Sequence, residues 1–95
     1  MYSESIFDTE QGVCFLCGRW CDTARHEIFH GPFRKKSQAL GLWVNLCPPC
    51  HDKIHRGGEF ERSVKEQAQL AAMSHYDWSV EQFRLNFGKN YTEVL

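Results

Sequence analysis

The chain has 95 residues, of which 24% are charged and 42% hydrophobic, and a formal net charge of −1. That length allows one domain, or a small core with an appendage, and a core so limited that a metal staple is a common remedy. No run approaches the roughly 18 apolar residues of a membrane span, and the near-neutral total argues against a general nucleic-acid binder.

The charge is unevenly placed. Residues 13–58 hold seven cationic side chains against three acidic ones, a net of +4, while the remainder holds four against nine, a net of −5. A basic centre between acidic ends suits a polyanionic partner. Cysteine usage is equally informative. The five cysteines are an odd number, and four of them form two Cys-x-x-Cys pairs, Cys14/Cys17 and Cys47/Cys50. With no apolar leader segment at the start, that spacing favours zinc over a disulfide framework and a cytoplasmic setting over a secreted one.

In chain order, residues 1–12 are polar and acidic and are expected to form a flexible arm, with Tyr2, Ile6 and Phe7 as its anchors. Val13 to Cys21 reads as a zinc knuckle, with Gly18 permitting the tight turn. Cys14 and Cys17 supply two thiolates, and Cys21 is left over, as a free thiol near the site or as an alternative ligand to Cys17. Thr23 to His30 is predicted as a strand ended by Gly31-Pro32. Phe33 to Leu40 follows as a short helix stopped by Gly41, carrying the cationic run Arg34-Lys35-Lys36. Leu42 to Leu46 is a second strand that delivers the chain to Cys47.

A helix should begin near Cys50 and run to about Arg56, before Gly57-Gly58. It places His51 and His55 four residues apart, so that both imidazoles share one face and can share a second metal. The remainder, residues 59–95, reads as a helical extension. Ser63 and Glu66 form a capping pattern for a helix over about 61–74, with Val64, Leu70, Ala71 and Met73 as its apolar positions. A last helix starts at Asp77 or Ser79, with Gln82 as capping partner, and stops at Gly88. Its Trp78, Val80, Phe83 and Phe87 recur at helical spacing and are expected in the core.

Strand, strand and helix, with a metal between hairpin and helix, is the layout of a ββα-metal finger. At this point the residues resemble the HNH endonuclease family in its four-cysteine form, as in small phage and prophage proteins. The matching pieces are Cys14/Cys17, His26-Glu27-Ile28-Phe29, Gly31, Arg34, Ser37 and Gly41-Leu42. They continue with Leu46-Cys47, Cys50-His51 and His55, and more weakly with Trp78, Glu81, Phe83, Phe87-Gly88-Lys89 and Tyr91.

The resemblance implies an α+β fold: a zinc-stapled ββα-metal, treble-clef-like core over 13–58, with the helical extension packed on it. Cys14, Cys17, Cys47 and Cys50 become ligands of a structural Zn²⁺. His26, His51 and His55 become ligands of a second divalent metal such as Mg²⁺, Mn²⁺, Ni²⁺ or Zn²⁺. The implied activity is hydrolysis of DNA phosphodiester bonds, with double-stranded DNA as partner, in the cytoplasm of a bacterium or phage-infected host. His26 and His51 would serve the reaction through that metal, and Arg34 would neutralise developing charge, with Lys35, Lys36 and Lys53 gripping flanking phosphates.

Two positions depart from the family pattern. Glu27 stands where the family usually has the histidine that acts as general base, and His30 is the alternative for that role. Asn45 lies two residues before Cys47, too close to stand for the family's middle asparagine. The competing expectation is therefore a catalytically degenerate HNH-fold zinc module that binds nucleic acid or a host or phage protein. Either would be a monomer or weak dimer.

Overall fold

The structure is a computed structural model, and it describes residues 2–92. Residue 1 of the expected arm and residues 93–95 of the expected extension lie outside the described residues. Among the described residues the fold is α+β: a two-stranded antiparallel sheet and four α-helices.

The sheet pairs β1 (Ala24–Glu27) with β2 (Trp43–Leu46) in the register Ala24↔Leu46 to Glu27↔Trp43. The first strand is shorter than expected. After Glu27 one more ladder bond forms, from the Ile28 N–H to the Leu42 carbonyl, and the chain then turns through a single 3₁₀ turn at Gly31–Phe33. Gly31 takes φ +66°, a conformation that favours glycine, and Pro32 stiffens the turn. Helix α1 (Arg34–Leu40) follows, and Gly41 ends it at φ +73°. A Cβ on Gly41 would collide with the backbone carbonyl of Glu4, so close approach as well as handedness demands glycine there. Ser37 is fully buried; its hydroxyl donates to the Phe29 carbonyl and accepts from the Phe29 N–H, locking α1 to the end of β1.

Helix α2 (Pro48–His55) starts two residues earlier than expected, because Pro48 and Pro49 occupy first-turn positions that need no N–H partner. Gly57 and Gly58, at φ +78° and +85°, turn the chain into α3 (Glu59–Tyr76). The expected capping pattern fails here. Ser63 lies inside α3, and Gly58 caps it without any side-chain bond. The buried stripe of α3 also differs: Ala68 and Ala72 face the core with Val64 and Met73 beside them, and Leu70 is exposed. Small residues on that stripe let α3 approach α2, which it packs against, closely.

Helix α4 (Val80–Phe87) has the expected capping box. The Gln82 N–H donates to the Ser79 hydroxyl, and the Ser79 N–H donates to the Gln82 side-chain carbonyl. Phe83 and Phe87 are fully buried and pack with Phe29, ring centroids 4.7–5.4 Å apart. Residues 2–12, expected as a flexible arm, lie along the sheet and α1. The Ile6 N–H donates to the Gly41 carbonyl, the Ser3 N–H to that of Gln38, and the Trp43 indole to the Ser3 carbonyl. Ile6 and Phe7 pack against the core. Among the described residues, no helix is long and apolar enough to cross a membrane.

Candidate functional site

Two clusters of metal-type ligands lie on either side of α2. In the first, one sulfur from each of Cys14, Cys17, Cys47 and Cys50 lies within 4.8 Å of the others. The knuckle that presents Cys14 and Cys17 is closed by the Cys14 N–H to Arg19 carbonyl bond and by Gly18 at φ +75°, and the Phe15 N–H ties it to the Asn45 carbonyl of β2. The sulfurs of Cys17 and Cys47 are 3.7 Å apart. That matches the roughly 3.8 Å edge of a tetrahedron with zinc–sulfur bonds of about 2.3 Å. The five cysteines are free of disulfides, and Cys21 stands outside the cluster.

The protonation of the thiols fits a metal. Burial alone would raise Cys14, but backbone N–H groups around it, that of Cys47 foremost, lower it to about 6. Cys50 is pushed up to about 12, first by burial and then by the neighbouring thiols. Four crowded sulfurs cannot all carry charge without a cation among them. The cluster can therefore hold a structural metal such as zinc, with Cys14 poised to deprotonate and Cys50 released by the ion's charge.

The second cluster joins His26 of β1 to His51 and His55 of α2, with one nitrogen from each within 4.8 Å of the others. The Nε2 atoms of His51 and His55 are 3.0 Å apart, and the His26 ring centroid is 5.2 and 5.6 Å from theirs. His26 is buried. Its pKa is lowered to about 4, first by burial, then by His51, His55 and His30, with Glu61 opposing. His51 is also lowered, by burial and then His55, with Glu27 opposing. Imidazoles held neutral keep the lone pair that ligates a metal.

The triad opens on a cavity of about 370 Å³ lined by Arg25, His26, Glu27, His30, Gly31, Arg34, His51 and His55. Thus the predicted candidates His26, Glu27, His30, Arg34, His51 and His55 all meet there. Neighbouring residues on a regular strand face opposite ways, yet His26 and Glu27, the last two paired residues before β1 stops, both line this cavity. The same early stop brings His30 back, its ring centroid 6.4 Å from His26 and 6.3 Å from His55.

Glu27 is nearly buried and fully engaged. Its Oε1 accepts from Arg34 Nε at 3.0 Å and its Oε2 from the Tyr2 hydroxyl. Lys35, Lys36 and Lys53 do not line the cavity. Lys36 donates to the Asn86 carbonyl, and Lys53 lies over the Phe60 ring. Asn45 lines a separate cavity of about 390 Å³ with Thr9, Gln11, Thr23, Arg25 and Trp43.

Three site residues escaped the sequence reading. Arg25, one of the cations of residues 13–58, has its guanidinium clamped 4.5 Å from both the Tyr2 and Trp43 rings and borders both cavities. Tyr2 reaches Glu27 from 25 residues away. Glu61, on the first turn of α3, accepts from His30 Nε2 at 3.2 Å. No local pattern marks the last two, since both act across the fold. No protein-family model, curated protein or solved structure matches this chain.

Proposed function

We propose that the chain is a metal-dependent HNH endonuclease or nickase, built on a ββα-metal, treble-clef-like core, that hydrolyses DNA phosphodiester bonds. The observation that carries this reading is the convergence of His26, His51 and His55 on a cavity that also holds Arg25 and Arg34. Three histidine ligands would leave coordination positions open, which distinguishes a reactive site from a closed one such as the four-cysteine cluster. A bound Mg²⁺, Mn²⁺, Ni²⁺ or Zn²⁺ would polarise the scissile phosphate and stabilise the departing oxygen.

The protein groups then have distinct tasks. Arg34, two-thirds exposed and steadied by Glu27, faces negative charge developing on the phosphate. Arg25, held between two rings, offers a second fixed cation for the strand. Lys35, Lys36 and Lys53 are limited to flanking phosphates, because none lines the cavity. The +4 centre supports a double-stranded DNA partner on this face.

One observation favours a second reading. The position that carries the family's general base holds Glu27, a carboxylate already tied to Arg34 by one oxygen and to Tyr2 by the other. A degenerate HNH-fold module would keep its zinc and bind nucleic acid, or a host or phage protein, without cutting.

Plasmid nicking separates the two. Supercoiled DNA incubated with Mg²⁺, Mn²⁺ or Ni²⁺ is expected to relax with the wild type and not with His51→Ala, whose structural zinc stays in place. Salt-sensitive binding without nicking under any metal would select the binding module. Nicking that survives His51→Ala would remove the triad from the mechanism.

A further inference from the structure

We propose that His30 is the proton acceptor for the attacking water and that Glu61, reaching in from α3, is the positioning residue that holds it. The proposal rests on the nuclease reading above and adds to it a group from outside the core. The placement of His30 is the first observation. It lines the cavity beside the triad, yet its nitrogens fall outside the set of ligand atoms that lie within 4.8 Å of one another. His30 therefore borders the cavity without belonging to the triad. His30 is also close to half exposed, so water has access to it.

The Glu61 contact is the second observation. With Nε2–H donating to Glu61 Oε2, Nδ1 of the neutral ring holds the lone pair, and the ring's orientation is set by a carboxylate. Glu61 is itself steadied by Lys65, one turn further along α3, at 3.6 Å from the same oxygen. Burial would raise the Glu61 pKa, but the His30 hydrogen bond and Lys65 lower it, so the carboxylate is charged when it orients the ring. Glu27 is already committed to Arg34 through one oxygen and to Tyr2 through the other.

The step balances as follows. A proton passes from water to His30 Nδ1, and the oxygen's electron pair forms the new P–O bond. The bond from phosphorus to the leaving sugar oxygen breaks with its pair, and that oxygen takes a proton from solvent. His30 then returns its proton to solvent.

The test uses the full chain with zinc and the cutting metal supplied. Glu61→Gln is expected to lower kcat roughly ten- to a hundredfold, as loss of a group that orients an imidazole does, with KM, metal content and melting temperature unchanged. His30→Ala is expected to lose more, to be restored in part by added imidazole, and to show no further loss when combined with Glu61→Gln. A Glu61→Gln protein that cuts at the wild-type rate, losses that add in the double variant, or His30→Ala cutting that imidazole leaves unchanged would overturn the dyad while leaving the nuclease reading intact. A wild type that nicks under none of the three metals would overturn that reading and the dyad together.

Discussion

Glu27 shows how much a single side chain's neighbours decide. As a lone carboxylate at the end of β1 it has the chemistry of a weak base. In the fold it accepts from Arg34 and Tyr2 and is nearly closed to solvent. Its task is then to hold Arg34 over the cavity. Glu27→Gln should accordingly raise KM for DNA about three- to tenfold, since Arg34 loses its anchor, while kcat changes little. Steady-state cleavage at varied DNA concentration checks this. A fall in kcat of two or more orders of magnitude would return the proton-acceptor role to Glu27.

At the scale of the element, identical-looking patterns have different fates. Ser63-x-x-Glu66 and Ser79-x-x-Gln82 both fit a capping box, but only the second caps a helix. The difference lies upstream. Gly57 and Gly58 reverse the chain directly into α3, so helical hydrogen bonding is already established before Ser63. Ser79→Ala should cost about 1 kcal/mol of stability, because one orphan N–H of α4 loses its acceptor. Ser63→Ala, at an exposed mid-helix position, should be close to neutral. Urea denaturation of the zinc-loaded variants measures both, and equal costs would mean that the capping geometry contributes nothing.

For the whole molecule, the two candidate metal centres are mechanically one. Cys47 is the cap residue of α2, Cys50 lies in its first turn, and His51 and His55 complete its eight residues. The helix is too short to persist unaided in water, and a 95-residue chain buries a modest core. The four-cysteine cluster, which ties α2 to the knuckle, therefore also sets the spacing of the histidines. The purified protein should hold about one tightly bound zinc per chain. Chelation, or Cys47→Ser, should unfold the core cooperatively and abolish metal binding at His26, His51 and His55 together. Circular dichroism followed alongside metal content tests this; a well-folded protein that contains no zinc would refute it.

What the sequence determined by itself is whatever depends on short spacing. Cys-x-x-Cys, His51 and His55 one turn apart, Ser79 with Gln82, and the stop at Gly41 are properties of a few consecutive residues. Their geometry follows from helix and turn periods wherever the surrounding chain lets that helix or turn form. The α+β composition and the four-thiol cluster were legible on that basis. The tertiary structure alone decided the rest, because it depends on distant segments meeting. The early end of β1 turns His30 back to the cavity that His26 and Glu27 line, although a continuous strand would have carried it away. The fold brings Tyr2 to Glu27 across 25 residues and Glu61 to His30 across 31. Such pairings leave no periodic trace, since the chain entropy spent in closing those loops is recovered by core packing and not by any local pattern.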